Sequence, residues 1–185
     1  MRQENKKVEL MKKLFFTLLL CLLIPSAVFA APVKKAVGII YLSKSGEVVN
    51  VEENCLSVVN KSLHDNFAKY GIQVDPVEMP LNTFLQKANK INIPETDLKA
   101  EWNRFVSSNY DVILNVYIDR YLVNADGTAD ASVRMVVTLP SNFEKILVKS
   151  EASRKNVQNT APIDVTKNAL SEIIRRCGKE IKALT

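Results

Sequence analysis

From Val112 to Asp119 the chain alternates, with Val112, Leu114, Val116 and Ile118 interleaved by Ile113, Asn115, Tyr117 and Asp119. Successive side chains of a strand point to opposite faces, so this stretch is a strand with one dry face and one mixed face. Asn124 to Thr128 contains an Asp-Gly pair, a strong short-range signal for a hairpin turn. The returning strand places Ala131, Val133, Met135, Val137 and Leu139 on one face and Ser132, Arg134 and Thr138 on the other. After a turn at residues 140–143, Ile146 to Ala152 supplies a third strand, which makes an antiparallel meander.

The elements before the meander alternate in type. Val37 to Leu42 is a short, β-branched apolar run that suits a buried strand, and Ser43 to Gly46 reads as a turn. Val48, Val49 and Val51 fit either a second hairpin arm or the lead into a helix. Asn50 and Glu53 have capping-box spacing before a helix whose apolar face is Leu56, Val59, Leu63, Phe67 and Tyr70, with Gly71 at its end. Ile72 to Met79 is expected as a strand closed by Pro80, followed by a short helical turn over residues 81–88. Asn92, Pro94 and Glu95 open a helix facing inward through Leu98, Trp102, Phe105 and Val106, stopped by Asn109. Pro162 and Asp164 introduce a last helix with Leu170, Ile173, Ile174, Cys177, Ile181 and Leu184 on its apolar face. The expected fold is α+β: a mixed sheet of about five strands ending in the antiparallel meander, packed against about three main helices. No internal repeat or linker interrupts residues 31–185, which form a single domain.

Residues 1–30 read as a Sec-type signal peptide. Lys12 and Lys13 precede the uncharged stretch Leu14 to Ile24, Pro25 and Ser26 break it, and Val28 and Ala30 fit the −3 and −1 positions of a cleavage site after Ala30. Met11 suits the true start, with residues 1–10 as an overlong assignment. An uncleaved anchor would need about 20 unbroken apolar residues, which Pro25 denies. Lipidation at Cys21 would need small residues before it, whereas Leu18, Leu19 and Leu20 stand there. The exported chain is thus expected in the periplasm or outside the cell, with no stable membrane span after cleavage. The net charge of +5 belongs largely to the leader, because residues 31–185 hold 20 basic and 18 acidic residues. So even a balance points to no nucleic-acid partner.

Chemistry is sparse along this chain. The one histidine, His64, lies about 100° off the apolar stripe of its helix, where a solvated side chain is expected. No cluster of His, Cys, Asp and Glu suggests a metal, and no Gly-x-Ser-x-Gly elbow suggests a nucleophile. The five glycines are scattered, so no phosphate loop and no cofactor is expected. Around Gly127 a calcium loop would want carboxylates where Leu122 and Val133 stand, which leaves a plain turn. Ser43, Lys44 and Ser45 are the candidate ligand-binding residues, at the carboxyl end of the first strand where α/β proteins favour ligands. Arg175, Arg176, Lys179 and Lys182 form a basic helix face with Glu172 and Glu180 among them, as on a solvated surface. Tyr117 and Tyr121, placed on the mixed face of the hairpin, are the candidate interaction residues.

The element order, and within it the strand Ala36 to Leu42 and the phrase Tyr110-Asp111-Val112-Ile113-Leu114 opening the hairpin, resembles the small envelope α/β domain of curli-secretion-channel-type proteins and of the TolB amino-terminal domain. The resemblance carries no catalytic residue, and this chain lacks a lipidation cysteine and a pore insertion. It implies a non-enzymatic binding or scaffolding module whose partner is another envelope protein. The alternative is a secreted hydrolase or small-ligand-binding protein using the loop around Ser43 to Gly46. Export also bears on the two remaining cysteines. An even pair in an oxidising compartment predicts a bridge between Cys55 and Cys177, if the helices carrying them lie side by side.

Overall fold

The computed structural model describes residues 34–44, 47–91 and 93–184. The expected signal peptide and cleavage site lie outside these residues, as do Ser45 and Gly46. In chain order the elements are β1 (Lys34–Leu42), α1 (Cys55–Ala68), β2 (Ile72–Pro76), α2 (Glu78–Ile91), a 3-10 turn (Glu95–Asp97), α3 (Leu98–Asn109), β3 (Val112–Val123), β4 (Ala129–Leu139), β5 (Asn142–Val157) and α4 (Pro162–Ala183). The five strands form one mixed sheet in the order β2-β1-β3-β4-β5, as the α+β reading expects. Parallel neighbours need crossover connections, and both parallel pairs, β1 with β2 and β1 with β3, are joined through helices. The antiparallel pairs β3–β4 and β4–β5 build the expected meander.

Helices α1 and α4 cover one face of the sheet. Leu63 and Phe67 from α1 and Leu170, Ile173 and Ile174 from α4 share a buried cluster with Leu114, Val116, Ile118, Met135 and Val137 of the sheet. On the opposite face α3 seats Val106 on Val37 and Ile113, with Trp102 and Phe105 partly buried beside them. Helix α2 joins this second layer through Phe84, whose ring meets Trp102 edge-on at 5.4 Å and Phe105 at 5.8 Å. The second layer is the smaller of the two, and it leaves part of its face open.

Four local expectations change. The Asn50–Glu53 capping box does not form: Asn50 takes a positive φ of 53° and α1 starts only at Cys55, with Asn54 as a cap that makes no side-chain bond. Val48 instead bridges in parallel to Tyr121, with Val49 N–H donating to Tyr121 O and Tyr121 N–H to Glu47 O. The second strand ends at Pro76, not Met79, and α2 runs 14 residues from Glu78. Pro80 falls in its first turn, where a missing N–H breaks no helical bond. At the other end of the chain Leu184 lies beyond α4 and is exposed.

The fourth change bears on function. The β3–β4 register steps from Ile118 opposite Val133 to Arg120 opposite Ser132, so Asp119 is an extra residue on β3. A bulge of this kind reverses the alternation beyond it. Tyr121 therefore follows Ile118 into the dry face and is 0% exposed, not an interaction residue on the mixed face.

Candidate interaction surface

Strand register builds the site. Tyr41 of β1 stands beside Tyr117 of β3, Tyr117 beside Arg134 of β4, and Arg134 beside Glu151 of β5. Positions two apart share a face, so this row lies on the same face as Val37 and Ile113, beyond the cover that α3 provides. The two tyrosine rings stack with centroids 4.8 Å apart and planes 14° from parallel. On the other side of Tyr117 the Arg134 guanidinium carbon stands 4.1 Å from the ring centre. The bulged Asp119 holds that guanidinium by two bonds, from Nε at 3.2 Å and Nη2 at 3.3 Å. Tyr41 O–H donates to Asn115 Oδ1 at 3.3 Å, and Asn115 Nδ2 in turn donates to Thr138 Oγ1 at 3.3 Å. Partial burial and the neighbouring Tyr117 phenol push the Tyr41 hydroxyl above its ordinary value, so it stays a donor.

The result is a fixed, flat row of aromatic and guanidinium groups, with Tyr41 40% exposed at its end. Sequence reasoning found Tyr117 but not Tyr41, Arg134 or Asp119 as its neighbours. Both strands were legible, yet the parallel register that sets Tyr41 against Tyr117 is a long-range choice that no local pattern reveals.

The other candidates are placed as follows. Ser43 N–H donates to Ile118 O at 3.0 Å, which ties the loop to the sheet, and Lys44 is exposed. A cleft of about 340 Å³ lies between β1–β2 and the α2–α3 pair, and another of about 430 Å³ lies between α1 and α4; neither is lined by Ser43 or Lys44. The His64 side chain is 59% exposed, with Nδ1 3.3 Å from Asp65 Oδ1. Among the described residues no group of three or more His, Cys, Asp or Glu side chains could hold a metal. The Asp126-Gly127 turn closes on itself, with Asn124 N–H bonded to Thr128 O at 2.7 Å and Gly127 at a φ of 80°. The Thr128 hydroxyl and N–H hold the Asp126 carboxyl below its ordinary value. On α4, Arg176 pairs with Glu172, which also holds Arg154 of β5, and Arg176 Nη1 donates to Glu151 O at 3.1 Å. That part of the basic helix face is occupied with binding its own sheet.

Cys55 and Cys177, expected as a bridge, are separate free thiols, both buried. Each fills a packing position on its own helix in the main core, and Cys177 Sγ donates to Ile173 O at 3.0 Å. Burial pushes both thiols up, Cys177 to about 11. The Tyr121 hydroxyl is also buried in this core and has no hydrogen-bond partner among the described residues.

No family model matches the chain, and no curated protein matches it. Among solved structures it is similar to the PelC dodecamer from Paraburkholderia phytofirmans, at 16% identity over 77% of this chain and 84% of that one, with a TM-score of 0.49. It is also similar to lipoprotein GNA1162 from Neisseria meningitidis, at 16% identity over 82% of this chain and 98% of that one, with a TM-score of 0.47. Protein XCC0632 from Xanthomonas campestris matches at 8% identity over 80% and 81%, with a TM-score of 0.38. None of these three structures is a curli-secretion-channel-type protein or a TolB amino-terminal domain.

Proposed function

We propose that this chain is an exported, non-catalytic binding or scaffolding module of the cell envelope, and that it docks another envelope protein on the open sheet face around Tyr41, Tyr117 and Arg134. One observation carries the reading: a stacked Tyr-Tyr-Arg row stands solvent-facing where the second helical layer ends. Tyrosine and arginine supply large contact area and are enriched where proteins meet. Here they are already immobilised by one another and by Asp119, so a partner ordering them loses little conformational entropy. Export rests on the Lys12-Lys13 and Leu14–Ile24 pattern of the leader. Of the competing site at Ser43 to Gly46, Ser43 N–H is engaged by Ile118 O, and Ser45 and Gly46 lie outside the described residues.

A photo-crosslinking residue at position 41 in the exported protein tests the surface in its own cells, with position 61 on the outward side of α1 as the control. A discrete adduct from position 41, lost when Arg134→Ala is added, is the expected result. Equal adducts from positions 41 and 61, or none from either, would remove the proposal.

A further inference from the structure

β5 is the last strand of the sheet, so among the described residues one side of its backbone has no strand beside it. A free edge 16 residues long offers a row of donors and acceptors to which another strand can add. Register tells which residues offer them, because successive residues of a strand turn their main-chain groups to opposite sides. Ile118 O faces β1, where it accepts Ser43 N–H at 3.0 Å, so Tyr117 turns to β4. Arg134, the partner of Tyr117, then turns back to β3, and Val133 and Met135 turn to β5. Their partners Ala152 and Ser150 turn inward. Lys149, Glu151 and Ser153 therefore face out, in a stretch from Val148 to Arg154 whose register is unbroken.

Two of those outward carbonyls already accept from guanidinium groups. Arg176 Nη1 reaches across from α4 to Glu151 O at 3.1 Å, and Arg154 Nη1 donates to Ser153 O at 3.1 Å. One carboxylate holds both cations: Glu172 pairs with Arg154 through Oε2 and with Arg176 through Oε1. The Glu172 side chain is 15% exposed and the two arginines 45% and 50%, so the acid is the fixed centre and the guanidiniums lie over the edge. Their helix is seated on the sheet through Ile173, Ile174 and Cys177, which share the main core with Val148 and Ala152 of β5. Ion pairs this exposed add little to stability. What they do here is occupy acceptors that a further strand would need.

We infer that Glu172, Arg154 and Arg176 close the β5 edge against strand addition, and that the strand they exclude is β5 of a second copy of this chain. The edge is complementary to itself. In the antiparallel register centred on Ser150, Lys149 of each copy stands opposite Glu151 of the other, and these are residues whose main-chain groups face out. Opposite charges directly across a strand pair favour that register. It also requires Glu151 O as an acceptor for the other copy's Lys149 N–H, and Arg176 holds that oxygen. Register shifts beyond Val148 and Arg154 confine the pairing to this short stretch. The inference is independent of the docking surface proposed above.

Sedimentation velocity on residues 31–185, which contain the whole compact unit Val33–Thr185, reads self-association from about 10 µM to about 1 mM. Arg176→Met removes the donor to Glu151 O and keeps an apolar stem on α4, and half of the arginine is exposed, so the variant keeps its fold. It should self-associate with a dissociation constant lower than the parent's by about tenfold or more, as should Glu172→Gln, which releases both guanidiniums. Lys149→Pro added to Arg176→Met should restore the parent's behaviour, because proline there removes an outward N–H and no bond to β4. Amide exchange gives a second reading that needs no proline: the Lys149 and Glu151 N–H groups should gain protection in concentrated Arg176→Met relative to the parent. Variants that associate no more tightly than the parent, an association that survives Lys149→Pro, or one that leaves those two amides as exchangeable as before would each overturn the inference.

Discussion

The Arg134 guanidinium lies over the ring of its direct cross-strand partner Tyr117, 4.1 Å from the ring centre. A cation held on an aromatic face at a partly exposed site is worth about 0.5–1 kcal/mol, and a planar guanidinium stacks where an ammonium does not. A double-mutant cycle in urea with Tyr117→Leu and Arg134→Met should therefore return a coupling of about 0.5–1 kcal/mol. Strict additivity of the two changes would show that the row is juxtaposed without interacting.

Asp130 makes the fold sensitive to acid. It is 3% exposed, and it accepts from Arg120 Nη1 at 3.0 Å, Asn124 Nδ2 at 3.0 Å and Asn156 N–H at 2.7 Å. Burial opposes its ionisation, but the three donors outweigh burial and hold the carboxyl below its ordinary value. A depressed folded value means that the carboxylate contributes stability above its unfolded value of about pH 4 and loses that contribution as pH falls through the folded value. Asp130→Asn should cost about 2–3 kcal/mol near pH 7, since an amide turns a donor toward groups that need an acceptor. It should also flatten the loss of stability below about pH 4. Denaturation midpoints of the two proteins at pH 7 and pH 3 check both parts, and a parallel acid response in both would count against the assignment.

The hairpin and the apolar faces of α1, α3 and α4 were legible because each rests on a local period: two for Val112 to Ile118, three to four for Leu63 to Phe67 and Leu170 to Ile174. What was not legible is long-range. The bulge at Asp119 is one residue in one strand, set by pairing with β4, and it alone decides that Tyr121 is core while Tyr117 is surface. Asn50 and Glu53 had the right spacing for a cap, but the chain bends at Asn50 so that Val48 can bridge to Tyr121. Glu151 and Arg176 are 25 positions apart, and only the packing of α4 along β5 makes them neighbours.

The cysteines carry a prediction of their own. With Cys55 and Cys177 as separate buried thiols, labelling of residues 31–185, unfolded and unreduced, should find two reactive thiols per chain. In the native state near pH 8 both should react far more slowly than an exposed thiol, because burial removes access and raises the thiol, Cys177 to about 11, so little thiolate forms. Zero thiols after unfolding would mean that the two are joined, and that α1 and α4 shift to bring the sulfurs together.

Gly178 lies inside α4, where a glycine is ordinarily a weakness relative to alanine by about 1 kcal/mol. Its surroundings explain its presence. A Cβ built there would stand 2.6–2.8 Å from three carbons of the Tyr70 ring, closer than carbon atoms approach, so the bare glycine backbone is what lets Tyr70, just past the end of α1, pack against α4. Gly178→Ala should therefore destabilise the native protein by about 1–3 kcal/mol, the usual cost of overfilling a packed site. With Tyr70→Ala already in place the ring is gone, and the same substitution should reverse sign and add up to about 1 kcal/mol through helix propensity. Urea midpoints of the four proteins in this cycle, at constant slope, give the answer. A Gly178→Ala variant that is neutral or stabilised with Tyr70 present would mean that the ring swings aside at no cost and that the glycine does not set the approach of α1 to α4.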